Sequence, residues 1–167
     1  MAFAMRIEYL DRPERRVLNL EEAGAPGIPV LGLTRHSRHV NPVREHVHLG
    51  VLELGLCLRG ALTLSSQGHV HRIMPGQIFV NQPGIPHRLT AQPRGLFLYW
   101  MHVRLSPLEK GALLKLPKKE ALALCEKLRE LPCPVATHTQ HVRQAFLRLF
   151  QQYDTPPGIY RSLCVRQ

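Results

Sequence analysis

Two groups of residues at fixed spacing limit what this sequence can fold into. The first is His46-Val47-His48, four residues, Glu53, six residues, Gly60; the second is Gly76 followed by Pro83-Gly84-Ile85-Pro86-His87. Alternate side chains of a strand share a face and rise about 3.3 Å per residue, so His46 and His48 point the same way, about 6–7 Å apart along the backbone. Two imidazoles so placed can converge on one ion. Glu53 lies at odd spacing from His48 and joins that face only through a bulge or turn, for which Gly50 is the natural place. His87 follows a tight turn and has to reach in from a neighbouring strand. Three imidazoles and one carboxylate suit zinc, nickel, iron or manganese. The plainer reading keeps these groups as strand histidines hydrogen-bonded inside a barrel, two of the chain's ten meeting by chance.

The surrounding pattern is of strands. Val30 to Thr34, His48 to Leu58, Ala61 to Leu64, His69 to Ile73, Ile78 to Val80, Arg88 to Ala91 and Leu96 to Leu105 are short apolar or alternating runs. Ser65-Ser66-Gln67-Gly68, Met74-Pro75-Gly76 and Asn81-Gln82-Pro83-Gly84 turn the corners between them. Short strands with close-set turns predict an antiparallel barrel or double-sheet jelly roll. Residues 1–23 read as an arm with one short strand around Arg6 to Leu10. Residues 24–105 read as the barrel, opened by the breaker Gly24-Ala25-Pro26-Gly27.

Residues 106–167 change to helical texture. Ser106-Pro107-Leu108-Glu109 has the form of an N-cap with proline in the first turn. Pro117 opens a helix with Ala121, Leu124, Cys125, Leu128 and Leu131 at helical spacing, and Pro132-Cys133-Pro134 breaks it. A further helix from about Thr139 carries Val142, Ala145, Phe146, Leu149, Phe150 and Tyr153 on one face. Pro156-Pro157-Gly158 starts a last segment with Ile159 and Leu163, which reaches Gln167 without a stop signal. That ending predicts truncation of a longer protein.

Composition excludes several classes. A chain of 167 residues buries one sizeable core. No run of 18 apolar residues exists, which predicts no membrane partner, and the N-terminus lacks a secretory pattern. Cys57, Cys125, Cys133 and Cys164 are irregularly spaced and read as reduced thiols of a cytoplasmic protein. The net charge of +10 reads first as a solvated basic surface, since the Lys and Arg are scattered; it also suits a domain that works close to DNA.

The two motifs resemble those of the cupin superfamily, matched in full by His46, His48, Glu53 and Gly60 and then by Gly76, Gly84, Pro86 and His87. Gln82 stands where that pattern has proline, and Ala91 where it has asparagine. The resemblance implies a mainly β, cupin-like double-stranded β-helix (a jelly-roll barrel) followed by C-terminal α-helices. Many cupins have lost the metal and hold an organic ligand instead. From His46 to about Val103 the chain also resembles the N-terminal sensing and dimerisation domain of AraC-family transcription regulators. Glu53-Leu54, Leu58-Arg59-Gly60, Met74 to Phe79 and Tyr99-Trp100-Met101-His102-Val103 carry that likeness, with Val103 in place of phenylalanine. The family's arabinose-responsive member stacks its sugar on the matching tryptophan, which implies Trp100 as a ligand contact. Trp100 and His102 sit two apart and share a face, so an inward-facing pair lies near His46, His48 and His87. A core tryptophan that simply fills a narrow barrel remains the alternative.

These readings lead to an effector-binding and dimerisation domain of an AraC-type regulator. A small molecule, a sugar among the candidates, binds at Trp100, His102, His46, His48 and His87 and controls DNA binding by a C-terminal helix-turn-helix domain outside this chain. The apolar stripe Val142 to Tyr153 either packs on the barrel or pairs with its copy in a homodimer, in part through the helix from Pro117 to Leu131. No nucleophile, general base or oxyanion donor stands out, so the chain reads as no enzyme and needs no cofactor. The competing reading is a single-domain metal cupin enzyme, an isomerase or dioxygenase, with His46, His48, Glu53 and His87 as ligands. A sugar- or metal-binding module without regulation is a third.

Overall fold

The computed structural model describes residues 3–4, 7–105, 113–132, 135–136 and 140–155. Its strands are β1 (Phe3–Ala4), β2 (Leu10–Arg12), β3 (Arg15–Leu18), β4 (Val30–Arg35), β5 (His46–Val47), β6 (Val51–Arg59), β7 (Leu62–Ser66), β8 (His69–Ile73), β9 (Ile78–Asn81), β10 (His87–Ala91), β11 (Phe97–Arg104) and β12 (Val135–Ala136). Helices α1 (Lys118–Arg129) and α2 (Gln140–Asp154) complete it. The strands form a five-stranded sheet, β1-β5-β10-β7-β8, and a seven-stranded sheet, β12-β9-β6-β11-β4-β3-β2. This is the jelly-roll architecture followed by helices that the two motifs imply.

Residues 1–23 hold three short strands where one, around Arg6 to Leu10, was expected. β2 and β3 extend the seven-stranded sheet, and β1 pairs in parallel with β5 at Phe3 and His46. The Arg-Pro-Glu-Arg sequence at 12–15 makes the turn between β2 and β3, a charged hairpin tip with no apolar alternation to reveal it. The hairpin expected at Ser65 to Gly68 narrows to Gln67 and Gly68, both at positive φ (52° and 77°), a geometry that matches the twist of the flanking strands.

Each strand of the larger sheet divides its side chains between two environments. On β11, Leu98, Trp100 and His102 face the barrel interior, while Tyr99 and Val103 join the cluster on the other side with Leu31, Leu33, Leu52, Leu56, Ile78 and Val80. The inner apolar cluster comprises Cys57, Leu62, Leu64, Ile73, Phe79, Leu96 and Leu98, bordered by Leu89 and Trp100. A sheet buried on both faces explains why these strands read as nearly continuous apolar runs.

The outer cluster is closed by the helices. α1 buries Ala121 and Cys125; α2 buries Phe146 and Phe150, whose rings lie 5.4 and 5.2 Å from that of Tyr99. The core-facing part of the α2 stripe therefore packs on the barrel. Ala145, expected on that stripe, is exposed. Arg16, on the outer side of β3, forms ion pairs with Asp11 (2.6 Å) and Asp154 (2.5 Å) and lies over the rings of Phe150 and Tyr153, fixing the end of α2 to the sheet. Cys57 and Cys125 are buried free thiols. The expected helix start at Ser106-Pro107, the breaker residues Cys133 and Pro134, and the segment with Ile159, Leu163 and Cys164 lie outside the described residues. Among those described, no helix is long and apolar enough to cross a membrane.

Candidate functional site

Strand register sets two rows of polar residues facing each other inside the barrel. Across the large sheet, His102 on β11 pairs with Glu53 on β6, which pairs with Asn81 on β9. Across the small sheet, His46 on β5 pairs with His87 on β10, which pairs with Ser66 on β7. His48 sits at the turn that joins the two sheets, where Gly50 adopts a φ of +67° and lets Glu53 face inward despite its odd spacing. The Pro83-Gly84 corner is tied to this turn by the Gly84 N–H, which donates to the His48 carbonyl at 2.9 Å.

Side-chain geometry brings together all four residues expected to bind metal. The rings of His46 and His87 lie 4.4 Å apart, and those of His46 and His48 4.9 Å. Glu53 Oε2 lies 3.0 Å from His87 Nε2 and 3.9 Å from His48 Nε2, and Glu53 Oε1 lies 3.9 Å from His102 Nε2. The Nδ1–H groups of His46 and His87 donate to the carbonyls of Arg44 (2.9 Å) and Ile85 (3.0 Å), which places the neutral rings' lone pairs on Nε2. Asn81 holds the carboxylate with an N–H···O bond of 2.8 Å to Glu53 Oε2.

The electrostatics follow from burial against one carboxylate. Burial pushes the Glu53 pKa up, but the imidazoles of His102 and His87 outweigh it and hold the carboxyl well below the ordinary 4.5. Burial lowers His48 to about 4 and lowers His46 as well. Burial acts the same way on His87, yet adjacent Glu53 more than offsets it and the net shift is upward.

Among the described residues, the buried side-chain atoms without a hydrogen-bond partner are Ser66 Oγ, Asn81 Oδ1, His87 Nε2 and both ring nitrogens of His102. His87 Nε2 is within ion-pair distance of Glu53 but misaligned for a hydrogen bond. All lie in the two facing rows. Leaving such a group unsatisfied costs about 1–3 kcal/mol, so their gathering marks a place built for a polar partner. Two sets of donors are close enough to share an ion: His46, His48 and His87, and His48, Glu53 and His102. The residues therefore fit a divalent metal by donor type and by their unsatisfied nitrogens.

A cavity of about 270 Å³ extends from this cluster. Trp100 forms one wall, its ring 5.3 Å from His102 and its Nε1–H donating to Thr34 Oγ1 at 3.2 Å. The indole lies flat over Gly32 on the neighbouring strand, where a Cβ would come within 2.0 Å of the ring. Val17, Val43, Leu89 and Leu98 add apolar surface. The far end is polar: Gln92 contacts His36 Nε2 at 2.9 Å and donates to the Asn41 carbonyl at 3.2 Å. Trp100, His102, His46, His48 and His87, the expected ligand contacts, all line this space. The sequence reading missed Asn81, Ser66, Thr34, His36, Gln92 and Gly32. Gly32 and Thr34 meet Trp100 only through the register of β4 on β11, and nothing local marks the loop residues His36 and Gln92.

The family model for the AraC-like ligand binding domain matches residues 30–161. The chain belongs to that family. A search of curated proteins finds no match for this AraC-like domain. Among solved structures, a predicted oxalate decarboxylase from Thermotoga maritima is 18% identical, with 54% of this chain and 78% of that chain covered at a TM-score of 0.48. KdgF from Halomonas sp. is 20% identical, covering 62% of this chain and 95% of that one at 0.44. A cupin protein from Bacteroides fragilis is 13% identical, covering 61% and 87% at 0.44. Likenesses this distant carry no functional argument, and membership rests on the family model.

Proposed function

We propose that this AraC-like domain binds a small organic effector in its barrel and, as a homodimer in the cytoplasm, controls DNA binding by a further domain of the regulator. The observation that supports this most is the Trp100 wall between two polar ends of one cavity. An aromatic platform with directional polar groups beside it suits a ring-shaped polar molecule, a sugar foremost. The volume sits at the lower edge of the ~300–1,000 Å³ common for small-molecule sites, so the effector is small. Its binding regulates only if it favours one arrangement of the domain over another. A thermal-shift screen of sugars and small acids tests this, with Trp100→Ala as control. A hit whose shift survives that substitution removes Trp100 from the site, and no hit at all counts against an organic effector.

A second reading is favoured by the two donor sets: His46, His48, Glu53 and His87 hold zinc, nickel, iron or manganese. Such an ion supplies Lewis acidity, the chemistry a cupin isomerase or dioxygenase would use. Asn81 would keep the Glu53 carboxylate oriented, and the backbone bonds of His46 and His87 would keep their Nε2 atoms inward. Metal analysis of the purified chain decides. Stoichiometric metal together with turnover lost in His48→Ala would favour the enzyme; metal without turnover favours a regulator that carries an ion.

A further inference from the structure

The four-residue donor set leaves out a side chain that is better placed for it than for anything else in the barrel. His102 is 2% exposed, and neither ring nitrogen has a hydrogen-bond partner. His87 also has an unpartnered Nε2, but its Nδ1 is anchored to a backbone carbonyl; His102 has no such backbone anchor, and its Nε2 faces Glu53 Oε1 at 3.9 Å. It comes from β11, opposite the small sheet, and its ring lies 4.4 Å from His48 and 5.3 Å from Trp100.

Resting on the reading that the barrel holds a divalent ion, we propose that His102 is itself a ligand, completing with His48 and Glu53 a second coordinating face on the Trp100 side. Metal–nitrogen bonds of about 2.0–2.1 Å put neighbouring donors of a tetrahedral ion about 3.4 Å apart and opposite donors of an octahedral ion about 4.2 Å apart. Within the set of His48, Glu53 and His102 the donor atoms lie within 4.8 Å of one another, and Glu53 oxygens stand 3.9 Å from the Nε2 atoms of both histidines, so contraction by tenths of an ångström brings these three to one ion. Two imidazoles and a carboxylate are a familiar set for a first-row divalent metal. The fifth donor also has a functional consequence. Catalytic ions keep a coordination position open to the reactant, whereas enclosed ions do not. With His102 joining His46, His48, Glu53 and His87, the wall beside Trp100 is occupied by protein. Five protein donors leave an octahedral ion one remaining position, so His102 narrows what can reach the ion from the Trp100 side.

The test uses the purified chain stripped with chelator and titrated with Co(II), for the wild type, His102→Leu and His102→Gln. Co(II) affinity comes from chelator competition, coordination from the visible ligand-field absorption, and fold integrity from thermal melting without metal. Loss of groups that only support metal ligands weakens binding about 10–100-fold, so loss of a ligand should weaken it at least about tenfold. Both variants should show that loss with an altered Co(II) spectrum, and metal-free His102→Leu should melt at or above the wild-type temperature because an unsatisfied polar group has gone. Wild-type affinity and spectrum in both variants would overturn the assignment while leaving the four-residue site intact. Metal-free His102→Leu melting well below the wild type would overturn it in favour of a packing role. A wild-type chain that takes no Co(II) would remove the metal reading itself and this inference with it.

Discussion

Gly32→Ala tests the geometry of the cavity wall with a single methyl group. The added Cβ would lie 2.0 Å from Trp100 Cε2 and 2.4 Å from both Cδ2 and Nε1, against the ~3.5–4.0 Å of a relaxed contact. Gly32 is not among the glycines with positive φ, so the strand backbone accepts alanine and gains about 0.5–1 kcal/mol from it. Overpacking of this kind costs about 1–3 kcal/mol. The indole must shift and give up its bond to Thr34, and the net loss should be about 1–2 kcal/mol. At about 2–4 °C per kcal/mol for a domain of this size, Tm falls by about 2–8 °C. With Trp100→Ala already in place the same methyl meets no ring, and Gly32→Ala should be neutral or slightly stabilising. Urea unfolding of the four proteins of this cycle gives the coupling, and emission from the chain's single tryptophan reports the displaced indole in the Gly32→Ala variant. Equal losses in both backgrounds, or unchanged emission, would refute the placement of Trp100 over Gly32.

Gln82 donates from Nε2 to the carbonyls of Leu128 and Leu131 at the end of α1, so Gln82→Pro should destabilise by about 1–3 kcal/mol in urea unfolding, although proline is the residue the cupin pattern has there. Arg16→Ala should cost about 1–2 kcal/mol at low salt through its two carboxylates and two rings, a loss that shrinks with added salt in parallel melts. Acidification from pH 6.5 to about 4 should destabilise the metal-free chain, because the unfolded state protonates His48 at its ordinary pKa of 6.5 while burial holds the folded value to about 4. The His48 share is at most about 3 kcal/mol. His46 adds to that loss, and His87 opposes it because its raised pKa contributes stability in acid that fades as pH rises. The stabilisation from Glu53 is lost only at lower pH, below 4.5. Tm measured against pH should flatten over this window in His48→Leu, and an unchanged acid limb would contradict the assignment.

The fold was legible where the local pattern and the tertiary outcome agree. The β8 run His69–Ile73 and the start of β4 at Val30 have the bounds that alternation and turn residues indicate, and the Pro117 signal opens α1 one residue later at Lys118. The charged hairpin of β2 and β3 escaped notice because its strands gain their order by pairing with β4, not from an apolar alternation of their own. At the site, the spacing of His46, His48, Glu53 and His87 implied one cluster. Asn81 and Ser66 were invisible because their roles come from strand register, which no spacing along the chain discloses. Gln82 looked like a defect in a motif until α1 supplied the carbonyls it bonds.

The wall between cavity and helices is one sheet thick, and neighbours such as Tyr99 and Trp100 belong to opposite sides of it. Odd positions of β11 seat the helical layer, and even positions shape the hollow. Selection can therefore redraw what the hollow holds through one set of codons while leaving untouched the alternate set that anchors the helices. A lineage of such domains can diversify the contents of its hollow without rebuilding the helical layer behind it.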